Sequence, residues 1–206
     1  GIELVPVSVN VSAAQFRRGD LYADLHQSLE EYEIAPRLLE VELTESTIMH
    51  DPQATARVLQ DIKGLGVRIS IDDFGTGYSS LSQLRRFPID TLKIDQSFVQ
   101  DLVTDADDAA ITGAIISMAK SLRQDVVAEG VETQEQLNFL TALGCDQAQG
   151  FFFYRSLPAE AFARLLLSQR SGHAIVQPAP RWAASPRATS SVPLSTTIST
   201  CTHFIC

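Results

Sequence analysis

Six polar or charged residues stand at or near the carboxyl ends of six short apolar segments, one residue to each segment. They are Asn10, Glu42, Asp72, Lys93, Glu129 and Gln149. A single acidic residue at a strand end is more often a helix cap or a solvated loop residue, but six in the same place are difficult to explain in that way. Since the active sites of (β/α) barrels are built at the carboxyl ends of their strands, the pattern predicts a functional site there.

Oxygen donors dominate this set, and Asp73 directly follows Asp72. Carboxylate and amide oxygens suit Mg²⁺ or Mn²⁺ better than they suit zinc. The two adjacent aspartates could serve two ions, one carboxylate being shared between them. Two ions about 3.5–4 Å apart clamp a phosphodiester for in-line attack, so the sequence predicts a two-metal centre that acts on a phosphate ester.

Six segments carry the short apolar patterns typical of strands, and amphipathic helical patterns separate them. The predicted strands are Val5–Val11, Leu38–Leu43, Val67–Ile71, Thr91–Ile94, Asp125–Ala128 and Gln149–Phe153. Strands that alternate with helices form a parallel sheet covered by those helices, so the fold class is α/β. A closed (β/α)₈ barrel needs about 250 residues, and we therefore expect a TIM-like barrel with about six of its eight units present.

Apolar and polar residues alternate within the strands. Val41 and Leu43, for example, alternate with Glu40, Glu42 and Thr44. Successive side chains of a strand point to opposite faces, and the helices cover the outer one, so the polar face must line the barrel axis. Buried polar groups are costly unless paired, which again favours metal coordination and mutual pairing. The aromatic run at residues 151–154 is interpreted as the buried last strand and not as a platform for base stacking.

The chain divides by composition into a folded part and a tail. With 206 residues and 45% hydrophobic content, it is long enough for one sizeable core. We expect residues 1–170 to form the partial barrel. Residues 171–206 are rich in Ser, Thr, Ala and Pro, which predicts a disordered tail or linker.

The 25 acidic and 16 basic residues give a net charge of −9, which opposes binding to a nucleic acid polymer. Cys145, Cys201 and Cys206 have neither metal-ligand nor disulfide spacing. No apolar run approaches the roughly 20 residues of a membrane span, and no signal-peptide pattern is present. We therefore expect a reduced, cytoplasmic protein, with any membrane anchor carried by segments outside this chain.

Several motifs in consistent order resemble a known family. They are Glu42-Leu43-Thr44-Glu45-Ser46, Asp72-Asp73-Phe74-Gly75-Thr76-Gly77-Tyr78-Ser79-Ser80-Leu81, Leu92-Lys93-Ile94-Asp95, Val127-Ala128-Glu129-Gly130-Val131-Glu132-Thr133 and Gln149-Gly150. Together they resemble the EAL-type cyclic di-GMP phosphodiesterases from about Val7 to Phe153. The resemblance implies a barrel enzyme of bacterial signalling that uses Mg²⁺ or Mn²⁺ to linearise cyclic di-GMP (c-di-GMP) to pGpG.

The resemblance also implies two overlapping sets of metal ligands. Asn10, Glu42 and Asp72 would hold the first ion, while Asp72, Asp73 and Glu129 would hold the second. Glu129 would alternatively activate the attacking water. Both possibilities remain open at the level of sequence.

Three further residues receive catalytic positions from the same resemblance. Lys93 would orient the nucleophile or the phosphate, with Asp95 and Gln149 nearby.

Glu45 would hold a loop that lies at the dimer interface and couples partner contacts to metal binding. The loop residues are Phe74, Gly75, Thr76, Gly77, Tyr78 and Ser79. A homodimer is therefore expected, with GGDEF or sensory domains upstream in a full-length protein.

The chain departs from the family pattern at its beginning. The Glu-Ala-Leu motif that names the family, and a substrate-binding arginine after it, should lie upstream of Asn10, and the chain contains neither. We therefore expect the chain alone to hydrolyse c-di-GMP poorly. A receptor that binds c-di-GMP without cutting it, and an inactive fragment, are the alternatives, which upstream sequence would distinguish.

Overall fold

The computed structural model of the protein describes residues 4–18, 20–77 and 81–169. Within these ranges, six parallel strands form one sheet in the order β1-β2-β3-β4-β5-β6. The strands are β1 (Val7–Asn10), β2 (Leu39–Thr44), β3 (Arg68–Phe74), β4 (Thr91–Ile94), β5 (Asp125–Ala128) and β6 (Gln147–Ala148). Each strand pairs with its neighbours in sequence, as in a (β/α) barrel, and the predicted α/β class is confirmed.

Helices connect the strands. They are α1 (Ala13–Arg18), α2 (Leu21–Glu31), α3 (Glu45–Met49), α4 (Pro52–Gly64), α5 (Leu81–Leu84), α6 (Gln96–Gln100), α7 (Ala106–Ser121), α8 (Gln134–Ala142) and α9 (Ala159–Gln169). Local sequence explains where two of them begin. Asp51 accepts hydrogen bonds from the first turn of α4, where Pro52 has no N–H and needs no acceptor. Thr133 with Gln136 forms a capping box at α8.

Both faces of the central strands are buried, and the two faces differ in chemistry. The outward residues Val41, Ile71 and Leu92 are apolar and at most 1% exposed. On the opposite face, Glu42 and Lys93 are buried as deeply as the apolar residues are. The predicted polar face is therefore a buried feature of the sheet and not a solvated surface.

The first strand has a neighbour on one side only among the described residues, because β1 pairs with β2 and ends the sheet. Its apolar residues Val7 and Val9 are 38% and 39% exposed. The six strands thus form an open part of a barrel within the described ranges, in agreement with the expected six units.

The predicted sixth strand, Gln149–Phe153, is wrong. The strand is Gln147–Ala148, and the aromatic run that follows forms a turn in which Phe152 N–H donates to Val131 O at 2.9 Å. The chain passes so close to the β5–α8 loop that a Cβ on Gly150 would lie 2.2 Å from Val131 O. Phe151 is 56% exposed and lies under the Arg155 guanidinium at 4.5 Å, so it is not part of a buried strand.

Two other sequence predictions lie outside the described residues. These are the disordered tail at residues 171–206 and the loop positions Tyr78 and Ser79. Among the helices that the structure describes, none is long and apolar enough to cross a membrane.

Candidate metal centre

Lys93 is the centre of a buried charge cluster at the carboxyl end of the sheet. Its Nζ donates to Glu42 Oε2 at 3.0 Å and to Asp72 Oδ1 at 2.9 Å, and lies 2.6 Å from Glu129 Oε1. The three carboxylates come from β2, β3 and the end of β5, the strands that lie around β4. The side chain of Lys93 is 2% exposed. Because side chains alternate along β4, its ammonium group points into the barrel interior.

One cation among three carboxylates leaves a surplus of negative charge. Burial by itself would lower the pKa of Lys93, but the charges of Glu129, Glu42 and Asp72 outweigh it and raise that pKa. Lys93 is therefore charged throughout the physiological range. The remaining negative charge requires a further cation or protons to offset it.

Three carboxylates at this end could hold a metal ion. Asp72, Asp73 and Glu129 each offer an oxygen, and the three oxygens lie within 4.8 Å of one another. An all-oxygen, partly exposed and negatively charged set fits a hard divalent cation. The identity of the ion as Mg²⁺ or Mn²⁺ stays a prediction.

A local irregularity of β3 brings two adjacent aspartates to one site. In a regular strand, Asp72 and Asp73 would point to opposite faces. The pairing of β3 with β4 shifts register between Ile71 and Phe74, and Asp73 has a φ of 53°. This bulge turns both carboxylates toward Glu129, and it is a feature that alternation alone does not predict.

Glu129 is held between two side chains. Its Oε1 accepts a hydrogen bond from Gln149 Nε2 at 2.6 Å in addition to the contact with Lys93. Burial raises the pKa of Glu129 to about 7, and the charges of Asp72 and Glu42 add to that rise against the opposing effect of Lys93. A carboxyl group with such a pKa can take up or release a proton near neutral pH.

Asp73 and Asp95 are neighbouring carboxyl groups with opposite pKa shifts. Burial and the charge of Asp72 raise the pKa of Asp73. Burial opposes the ionisation of Asp95, but hydrogen bonds with Ser97 and Asp73 lower its pKa. Asp95 also caps α6 by accepting from Ser97 N at 2.8 Å.

Glu45 holds the turn that follows β3. Its Oε2 accepts from Gly75 N at 3.0 Å and from Gly77 N at 3.3 Å, and the residue is 3% exposed. A Cβ on Gly77 would lie 2.7 Å from Glu45 Oε1. The contact therefore needs glycine at that position, and Glu45 lies where the sequence prediction placed it.

The remaining predicted residues differ in how close they come to this centre. Asn10 is exposed at the end of β1, opposite Glu42 in the register of β1 and β2. Glu42 binds Lys93 and lies outside the three-carboxylate set. Gln149 Oε1 is buried without a hydrogen-bond partner among the described residues, so this amide has one oxygen that a ligand could use.

The sequence model of the EAL domain family matches residues 2–156. The chain belongs to the EAL domain family. The matched range contains all six strands and every residue of the candidate metal centre. The six parallel strands and their helices match solved structures of EAL domains, so the fold is that of a TIM-like barrel.

Relatives of this EAL domain occur in several bacteria. The signalling protein YkoW of Bacillus subtilis is 48% identical over 165 residues, which are 80% of this chain and 21% of that protein. The bifunctional diguanylate cyclase/cyclic di-GMP phosphodiesterase MucR of Pseudomonas aeruginosa is 47% identical over 154 residues, 75% of this chain and 22% of MucR. The chain thus spans about a fifth of the length of these curated relatives.

Two solved structures resemble the fold closely. The complex of the PaMucR phosphodiesterase with c-di-GMP is 46% identical, has a TM-score of 0.75, and is matched over 76% of this chain and 64% of its own. The manganese/c-di-GMP complex of BlrP1 from Klebsiella pneumoniae is 32% identical with a TM-score of 0.67, over 73% of this chain and 38% of its own.

Proposed function

We propose that this EAL domain hydrolyses c-di-GMP to linear pGpG in a metal-dependent reaction. The observation that carries the proposal is the convergence of Asp72, Asp73 and Glu129 within 4.8 Å beside the buried Lys93. Relatives with names that specify c-di-GMP phosphodiesterase activity, and the c-di-GMP complexes of similar structures, support the substrate.

The proposed ion is Mg²⁺ or Mn²⁺, and the intact domain would bind two. Asp72, Asp73 and Glu129 would hold one ion, while Asn10, Glu42 and Asp72 would hold the other. A divalent ion there would polarise the phosphodiester as a Lewis acid. The manganese complex of BlrP1 supports an ion of this class.

The side chains around that centre have separate tasks in the proposal. The ammonium of Lys93 orients the phosphate or the nucleophile by its positive charge. Glu129 either serves as a ligand of the ion or, with a pKa of about 7, takes up the proton of the attacking water. Gln149 keeps Glu129 in place by its 2.6 Å hydrogen bond, and Asp95, the N-cap of α6, lies beside Asp73.

The wider setting of the domain is also a proposal. We assign residues 1–170 to the EAL domain and residues 171–206 to a separate tail, in a cytoplasmic protein that forms a homodimer through the loop that Glu45 holds. The bifunctional name of MucR supports GGDEF or sensory domains upstream.

The test is chromatographic detection of pGpG after the chain is incubated with c-di-GMP and Mn²⁺ or Mg²⁺. We expect pGpG formation that stops in EDTA, and a loss of about 100-fold or more in Glu129→Gln and in Lys93→Ala. The PaMucR phosphodiesterase is the positive control. Binding of c-di-GMP without any pGpG from the metal-loaded chain would contradict hydrolysis and favour the receptor alternative.

A further inference from the structure

Gln136 is a buried residue that joins the loop before α8 to the last turn of α6. It lies in the first turn of α8 and is 5% exposed. Its Oε1 accepts from the backbone N–H groups of Glu132 at 2.8 Å and Thr133 at 2.9 Å. Its Nε2 donates to the carbonyls of Val99 at 3.0 Å and Gln100 at 3.1 Å.

Only an uncharged amide satisfies all four contacts. Two donors face the oxygen, two acceptors face the nitrogen, and this fixes the orientation of the amide. A capping box needs only the acceptor half of this pattern, which either Gln or Glu supplies. The donor half is therefore an additional function of Gln136, and it ties α8 to the last turn of α6.

Helix α6 in turn contacts both parts of the metal centre. At its beginning, Asp95 N–H donates to Phe74 O, next to Asp73, at 3.5 Å. One turn later, Phe98 packs against the turn after β3 so closely that a Cβ on Gly75 would lie 2.8 Å from Phe98 Cε2. Next to Asp95, Gln96 packs against the turn after Glu129 so closely that a Cβ on Gly130 would lie 2.6 Å from Gln96 Cβ. Gly130, with a φ of 71°, makes that approach possible.

From these contacts we infer that Gln136 is a positioning residue of the metal centre. It holds α6 against α8, and α6 sets the spacing between Asp73 on the β3 turn and Glu129 on the β5 turn. Because α6 has only five residues, its own helical hydrogen bonds fix it weakly, and the tertiary contacts determine its position. The inference rests on the metal centre of the proposed function.

The decisive variant is Gln136→Glu, which keeps the acceptor half and removes the donor half. Its matched control is Gln134→Glu, the same change in the same helical turn, where the amide donates only to the exposed Asn138. Mn²⁺ affinity is measured by calorimetry well below the unfolding temperature. We expect Gln136→Glu to bind Mn²⁺ about tenfold or more weakly, as for other residues that orient ligands, and Gln134→Glu to bind it as wild type does.

Amide hydrogen exchange in EDTA provides a readout that does not need the ion. The Gly75 and Gly77 N–H groups, which donate to Glu45, should exchange faster in Gln136→Glu than in the control. If Gln136→Glu does not fold, Gln136→Asn, in which the amide is one methylene shorter, replaces it with the same expectation.

The outcomes separate the inference from the function on which it rests. A wild-type chain that binds no Mn²⁺ would contradict the proposed metal centre, and the exchange experiment would then decide the role of Gln136. A folded Gln136→Glu variant with wild-type exchange at Gly75 and Gly77 would overturn the inference. So would loss of thermal stability with unchanged Mn²⁺ affinity, because that is the result of a purely structural contact.

Discussion

The two ends of the sheet both carry clusters of acidic and basic side chains, but the clusters differ in burial and in charge. At the amino end, basic and acidic residues are nearly balanced and partly exposed. The ion pairs there are Arg68 with Glu40 and Asp125, Lys63 with Asp90, and Lys120 with Asp146. At the carboxyl end, Lys93 alone faces three carboxylates, with Asp73 beside them.

The carboxylates of the amino end are also occupied by backbone groups. Asp90 accepts from Ile69 N and Asp146 accepts from Val126 N, each at 2.8 Å. Asp90 and Asp146 therefore connect the beginnings of β3 and β5 to the preceding helices α4 and α7. The same residue types therefore join strands to helices where charges balance, and they form the proposed cation site where buried negative charge is in excess.

The largest effect is expected from removal of the cation at the carboxyl end. Lys93→Met leaves three carboxylates without their shared partner, which should lower the free energy of unfolding in EDTA by about 3–5 kcal/mol. Urea denaturation measures this loss. Mn²⁺ should restore part of it, because a divalent cation offsets the same carboxylates.

Lys120→Met at the amino end is the matched control, since that side chain is 44% exposed. We expect its loss to be much smaller and to be independent of Mn²⁺. Equal stability of Lys93→Met and wild type in EDTA would mean that the buried cluster does not depend on Lys93.

The second effect concerns metal affinity. Asp73→Asn removes one carboxylate of the three-residue set and should weaken Mn²⁺ binding at least tenfold, about 1.4 kcal/mol. The same change at the amino end, Asp125→Asn, should leave Mn²⁺ affinity unchanged. Calorimetric titration of both variants measures the difference. Equal Mn²⁺ affinities of Asp73→Asn and Asp125→Asn would contradict a metal centre confined to the carboxyl end of the sheet.

A smaller effect is expected from Arg68→Met at the amino end. Arg68 donates to Glu40 at 3.2 Å and to Asp125 at 2.9 Å, but its side chain is 35% exposed. Solvent screens these contacts, so the loss in the free energy of unfolding should be about 1 kcal/mol. Thermal denaturation with and without Mn²⁺ measures it, and an Mn²⁺-dependent loss would show that the two ends are coupled.

The smallest effect concerns the reactivity of Cys145, which lies next to the amino-end ion pair of Lys120 with Asp146. Burial raises the pKa of Cys145 to about 11, so at pH 8 only about one thiol in a thousand is ionised. In a Cys201→Ser/Cys206→Ser background, iodoacetamide should label Cys145 slowly when the chain is folded and rapidly in urea. Rapid labelling of the folded chain would contradict the raised pKa of this thiol.

Five of the six predicted strands lie within a few residues of their observed bounds. Thr91–Ile94 and Asp125–Ala128 are confirmed to the residue, and the buried polar face follows from alternation alone. The prediction of a strand at Gln149–Phe153 was wrong, because an aromatic run has the composition of a strand even where the chain turns. Here the chain turns where it passes close to the β5–α8 loop.

The site was predictable in its residue types but not in its geometry. The pairing of Asp72 with Asp73 on one side depends on a bulge in β3, and no periodic pattern indicates a bulge. The role of Asp95 as partner of Asp73 likewise depends on where α6 begins. Short-range patterns therefore identify the carboxylates, while tertiary contacts decide which of them meet.

The most direct test of the proposed metal centre is the anomalous scattering of manganese in crystals of this chain grown with MnCl₂. We expect a manganese peak at the carboxyl end of the sheet, in contact with carboxylate oxygens of Asp72, Asp73 and Glu129. Manganese at the amino-end carboxylates instead, or no peak beside these three residues at saturating MnCl₂, would contradict it.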